Sequence, residues 1–137
     1  MKIAHVALWT SDLDRACRFY RETFGAEIGD PYRSSTTPGF MSRFARFSDG
    51  PAIELMYLPE LAAPEVAASS PAARSEKRPR IGWAHLAISL GNEDAVRAMA
   101  TQMASKGTLV SAPRWTGDGY FEAVIRDPDG NLIEVTI

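Results

Sequence analysis

The chain has 137 residues, 45% of them hydrophobic and 23% charged, with a formal net charge of −2 and a sequence pI near 5.7. That length allows one compact domain or two very small modules sharing a core, and the slight negative charge argues against a general nucleic-acid binder. No apolar run approaches membrane-spanning length, and the lone Cys17 cannot pair within the chain, which fits a reducing cytoplasm.

The first predicted element is a strand, "IAHVAL", starting at Ile3. Alternation puts His5 on one face with Ala7 and Trp9, and Val6 and Leu8 on the other. A helix follows over "DLDRACRFYRETF", with Ser11 as the expected N-cap and Gly25 as the C′ residue that ends it. Cys17 falls inside this helix as a buried, inert thiol. A strand is expected next, and then two strands joined at Asp49-Gly50. Asp-Gly between apolar runs signals a two-residue hairpin. In that register Ala45 lies opposite Glu54 and Arg43 opposite Met56. Arg43 would then share the Glu54 face and could hold an anionic group, or it is simply an exposed edge arginine.

Residues 59–80 are rich in Pro, Ala and Ser and read as a linker or flexible flap. Lys77, Arg78 and Arg80 at its end read as a solvated loop. After it the chain is written again. With a shift of 80 residues, "WAHLAI" from Trp83 falls on "IAHVAL", Asp129-Gly130 on Asp49-Gly50, and "LIEVT" on "AIELM". The second half restarts with a strand in which His85 shares a face with Ala87 and Ser89. Asn92 caps a helix over "EDAVRAMATQMASK", and Gly107 closes it. "RWTGDGYF" (Arg114 to Phe121) reads as an ordinary connecting turn or as a loop that covers a site. Each half is therefore β-α-β-β-β, with modules at 1–58 and 81–137. The fold class is α+β, two βαβββ modules whose mixed sheets curve into a cup with helices outside.

The only two histidines of the chain each precede a matched glutamate by 49 residues, His5 with Glu54 and His85 with Glu134. In all four strands bulky aliphatics fill one face and the His or Glu points the other way. A single histidine in an apolar strand is ordinarily a satisfied structural residue, and a single glutamate on a polar face ordinarily meets solvent. The matched set is different. Carboxylates brought together on apolar strands repel unless a cation lies between them, and two imidazoles with two carboxylates suit a divalent metal. His5, Glu54, His85 and Glu134 are the expected ligands of one ion per site, with Zn, Ni, Co, Mn and Fe all suited to N₂O₂ ligation. Trp9, Trp83 and Met56 could line a pocket beside them, although aromatic packing between modules accounts for the tryptophans equally well.

The paired modules, "SDLDRACRFYRETFGAE", "WAHLAISL" and the ending "DPDGNLIEV" resemble the vicinal oxygen chelate superfamily, and within it glyoxalase I. The resemblance spans nearly all of the chain outside the linker. It implies a cytoplasmic, metal-dependent lyase or isomerase acting on a hemithioacetal or related α-hydroxycarbonyl compound through a metal-bound enediolate. Glu134 is the implied base, with Glu54 its mirror-image counterpart; Arg43, Trp9 and Met56 are the substrate-binding candidates. A small-molecule substrate, glutathione as candidate co-substrate and a homodimer are also implied, with neither nucleic acid nor membrane as partner. Trp9 stands where an arginine that holds glutathione is expected in bacterial glyoxalase I. The linker is also longer than in the compact bacterial enzymes. A thiol transferase or epimerase of the same superfamily and a non-catalytic drug-binding module, like the bleomycin-resistance proteins, are the alternatives. An extradiol dioxygenase is disfavoured, because that chemistry implies additional acid–base histidines and both histidines here are already assigned to the metal.

Overall fold

The structure is a computed structural model and describes residues 2–61 and 83–137. The chain forms two compact units, Met1–Glu76 and Lys77–Ile137. The expected linker falls outside the described residues from position 62 onward, as do Lys77, Arg78 and Arg80.

In the first unit β1 (His5–Trp9) leads to α1 (Leu13–Phe24), then to two short strands, β2 (Glu27–Ile28) and β3 (Tyr32–Arg33), and to the hairpin of β4 (Met41–Arg46) and β5 (Ala52–Tyr57). The sheet order is β1-β5-β4-β2, with β3 also on β4, and β1 runs parallel to β5. In the second unit β6 (Leu86–Ser89) leads to α2 (Glu93–Ser105), β7 (Leu109–Trp115), β8 (Phe121–Arg126) and β9 (Leu132–Thr136). Its order is β6-β9-β8-β7, with β6 parallel to β9. The mixed α+β class is as expected. The second unit is βαβββ; in the first, the strand after the helix is broken at Gly29-Asp30-Pro31. Proline has no N–H for a ladder, and glycine weakens a strand interior.

Each helix lies on its own sheet through a stripe of matching period. α1 buries Leu13, Ala16, Cys17 and Tyr20, and packs on β4 and β5, where Ala45, Ile53 and Leu55 are buried. α2 buries Val96, Ala100 and Met103 against a sheet that buries Phe121, Ala123, Ile125, Ile133 and Val135. Cys17 is the buried helix thiol expected, and burial pushes its pKa up. The helix α1 starts one residue later than expected. Its cap is Asp12, whose Oδ1 accepts from the Arg15 amide at 2.9 Å, while the Ser11 hydroxyl accepts from the Arg15 guanidinium. Asn92 does cap α2, and Gly25 and Gly107 adopt the left-handed conformation that ends the helices.

The hairpins differ from the expected two-residue form. A type I′ turn at Asp-Gly needs a positive φ at both residues, yet among the described residues none other than glycine has one. The β8–β9 connection is longer. The Gly130 amide donates to the Asp127 carbonyl, the Asp127 amide donates to the Asn131 carbonyl, and Gly130 takes the left-handed position (φ 89°). That is a type I turn closed by a bulge glycine, the three-residue form. Pro128 fits its first corner, since its ring fixes φ near −65°. In the first unit Pro51 likewise keeps the residue after Asp49-Gly50 out of the ladder, and β5 begins at Ala52.

The change moves the register by one residue. Phe44, and not Ala45, lies opposite Glu54, while Arg43 lies opposite Leu55 and Ser42 opposite Met56. A one-residue slip exchanges the faces of a strand. Arg43 therefore does not share the Glu54 face; it points to the helix side with the buried Ala45 and Leu55.

Candidate metal centre

The first pair is built on β1 and β5. Ala7 of β1 is opposite Glu54, so His5, two residues back, lies diagonally across on the same face. His5 Nε2 is 3.7 Å from Glu54 Oε2, with the imidazole 46% exposed and the carboxylate 18% exposed. Phe44 stands edge-on to the imidazole, with ring centres 5.6 Å apart, and forms an apolar wall beside the pair. Met56 and Trp9 continue this face, opposite each other across β5 and β1. Trp9 is 47% exposed and packs edge-on to Phe40.

The second pair repeats the pattern. Glu134 on β9 is opposite Ala87 on β6, and His85 lies two residues before Ala87. His85 Nε2 is 3.4 Å from Glu134 Oε2. Trp83, just upstream, is exposed. "RWTGDGYF" is a hairpin turn between β7 and β8, closed by the Thr116 amide on the Tyr120 carbonyl. Its Asp118 stands within electrostatic reach of Glu134.

The second pair has neighbours that the first lacks. Glu122 of β8 is buried, and its Oε1 lies 2.9 Å from the Arg114 guanidinium. The Glu122 carboxyl lies near that of Glu134, close enough for the two to favour a shared proton. Burial first, then the Glu122 bond and charge, push the Glu134 pKa above the ordinary carboxylate value, while His85 pulls it down. At the shift of 80 residues the counterpart of Glu122 is the buried Ser42. Glu122 was legible in "FEAVIR", where Phe121, Ala123 and Ile125 take one face and Glu122 the other. Its nearness to Glu134 needs the β8–β9 register as well.

Both pairs fit a divalent ion. Two donors about 2.1 Å from one metal stand roughly 3.0 to 3.4 Å apart, for angles between square and tetrahedral. The pairs at 3.4 and 3.7 Å are near that spacing and too long for hydrogen bonds, so neither imidazole nitrogen is spent on its glutamate. Among the described residues no three metal-ligating side chains gather in one cluster; each unit holds one His–Glu pair.

A family model described as the glyoxalase/bleomycin resistance protein/dioxygenase superfamily matches residues 2–135. No curated protein matches the chain. Among solved structures, a glyoxylase/bleomycin resistance protein/dioxygenase domain from Frankia sp. EAN1pec is 18% identical with a TM-score of 0.76, covering 100% of this chain and 97% of that one. Glyoxalase I from Zea mays is 23% identical with a TM-score of 0.73, covering 98% of this chain but 44% of that one. This chain thus spans less than half the length of the maize enzyme. Lactoylglutathione lyase from Agrobacterium tumefaciens is 23% identical with a TM-score of 0.61, covering 98% and 91%. At these identities the likeness is one of fold. Among the described residues no helix is long and apolar enough to cross a membrane.

Proposed function

The chain belongs to the glyoxalase/bleomycin resistance protein/dioxygenase superfamily, and from that premise we propose that it is a metal-dependent lyase or isomerase of the glyoxalase I type. The observation that carries the reading is the repeated His–Glu pair, at 3.7 Å in one unit and 3.4 Å in the other. His5, Glu54, His85 and Glu134 are the donors for one divalent ion, with Zn, Ni, Co, Mn and Fe all suited to the set. Such an ion supplies a Lewis acid for the neighbouring oxygens of a hemithioacetal or related α-hydroxycarbonyl compound.

The chain's own part is to place the substrate and to move one proton. Glu134 takes the proton from the substrate carbon and returns it to the neighbouring carbon. A carboxylate with a raised proton affinity suits that task, because a general base works best with its pKa nearer the working pH. Burial and Glu122 raise it here. Glu54 lacks the acidic neighbour and serves as a ligand. Phe44, Trp9 and Met56 form the apolar side of the first pair and would hold the substrate body. Glutathione is the candidate thiol, a homodimer the expected assembly, and the cytoplasm a setting in which the buried Cys17 stays reduced.

The test combines metal content with turnover. Protein loaded with nickel or zinc should retain the ion after gel filtration and isomerise the hemithioacetal of methylglyoxal and a thiol. Glu134→Gln should lower kcat by about 10²–10⁴-fold, the usual worth of a positioned acid–base group. Loaded protein that turns over no hemithioacetal with any thiol or metal tested removes the lyase reading.

A further inference from the structure

The displacement of Arg43 from the metal face leaves it in a different place with its own chemistry. A cavity of about 360 Å³ opens on the helix side of the first sheet, beside the start of α1. That is the small end of the range for ligand pockets. Leu13, Pro31, Met41 and Tyr57 give it apolar walls, and Arg33 and Arg43 line it as well. Arg33 is opposite Met41 across β3 and β4, and Arg43 is two residues further along β4. The two guanidiniums therefore come from diagonal positions on one face.

Arg43 is only partly exposed, and its Nε donates to the Gly29 carbonyl at 2.8 Å. That bond fixes the plane of the guanidinium. Among the described residues its Nη groups meet no acceptor, and neither arginine pairs with a carboxylate. Arg43 is part-buried and Arg33 exposed, so the two guanidiniums offer the cavity unpaired donors at different depths. A guanidinium fixed in this way is matched by a planar, two-oxygen acceptor. Ser11, Asp12 and Asp14 complete the rim. Asp12 is engaged with the Arg15 amide at 2.9 Å. The two rim carboxylates formally balance the two guanidiniums, so a dianion is repelled more than a monoanion.

We propose that this cavity is a second ligand site, separate from the metal centre, for a small monocarboxylate with an apolar body. Its carboxylate meets Arg43 and Arg33, and its body lies against Met41, Pro31 and the Tyr57 ring. The site does not depend on the lyase reading, because none of the four metal donors lines it.

The test is a titration of ¹⁵N-labelled full-length protein with benzoate and, separately, with inorganic phosphate, read from amide shifts. Benzoate should give saturable shifts centred on residues 11–14, 33, 41–43 and 57, and phosphate should bind more weakly. Arg43→Met should weaken benzoate binding at least about tenfold, and Glu54→Gln should leave it unchanged. If Arg43→Met fails to fold, Arg33→Met on the exposed strand β3 takes its place, with the same direction expected. Non-saturable shifts, shifts centred on His5 and Glu54, tighter binding of phosphate than benzoate, or wild-type affinity in the folded arginine variants would each overturn the proposal. Loss of hemithioacetal turnover bears on the metal centre alone.

Discussion

Glu134 is the residue where burial and neighbouring charge act together. Its folded pKa is raised by burial, then by Glu122, against the pull of His85. An acid with a raised folded pKa contributes stability below its unfolded pKa, and that contribution is lost as pH rises through the folded one. In metal-free protein the ionised Glu134 therefore weakens the fold at neutral pH. Glu134→Gln should raise the urea midpoint of metal-free protein at pH 7, and the gain should vanish at about pH 4, near the ordinary glutamate pKa. An equal midpoint for both proteins at pH 7 would contradict this account. The faces of His5, Glu54 and Glu134 were legible in the sequence because alternation alone orients a strand residue, whereas His85 lies just before β6. The role of Glu122 was not, because it depends on which residue of β9 lies beside it.

Among elements, the helices read more easily than the turns. The stripe Leu13, Ala16, Cys17 and Tyr20 has the helical period, whereas the start of α1 depends on which of two adjacent oxygens reaches the first free amide. Asp12 does so, and Ser11 bonds the Arg15 side chain instead. Asp12→Ala should cost about 1 kcal/mol of unfolding free energy in chemical denaturation. Ser11→Ala should stay within about 0.5 kcal/mol, as surface changes usually do. The reverse ranking would show the cap to be misassigned. The hairpins depart from the two-residue form for a related reason. Asp-Gly suits both a two-residue turn and the last two positions of a longer one, and the prolines at 51 and 128 decide between them. That one residue of register carried Arg43 from the metal face to the helix side.

At the scale of the molecule, the duplication was legible from the 80-residue shift, which aligns His5 with His85 and Glu54 with Glu134. How two sheets meet is not written in local alternation, which sets only the side of a strand from which each group projects. The proposed ion would couple the units, since its donors come from both. Nickel at about 100 times its dissociation constant should stabilise the protein by about 2.7 kcal/mol, seen as a thermal midpoint several degrees higher. Glu54→Gln and Glu134→Gln should each abolish most of that rise. If only one variant loses it, the pairs bind metal independently.

The broken second strand has a consequence beyond the site. β2 and β7 each form one edge of their sheets, with β1 and β6 at the other. The first is interrupted at Gly29-Asp30-Pro31, and the second shifts register between Ser111 and Arg114, around Pro113. A straight outer strand would offer foreign chains a continuous template for growth into fibres. These two margins are too irregular to serve as one, so the copied architecture discourages aggregation along the β2 and β7 edges.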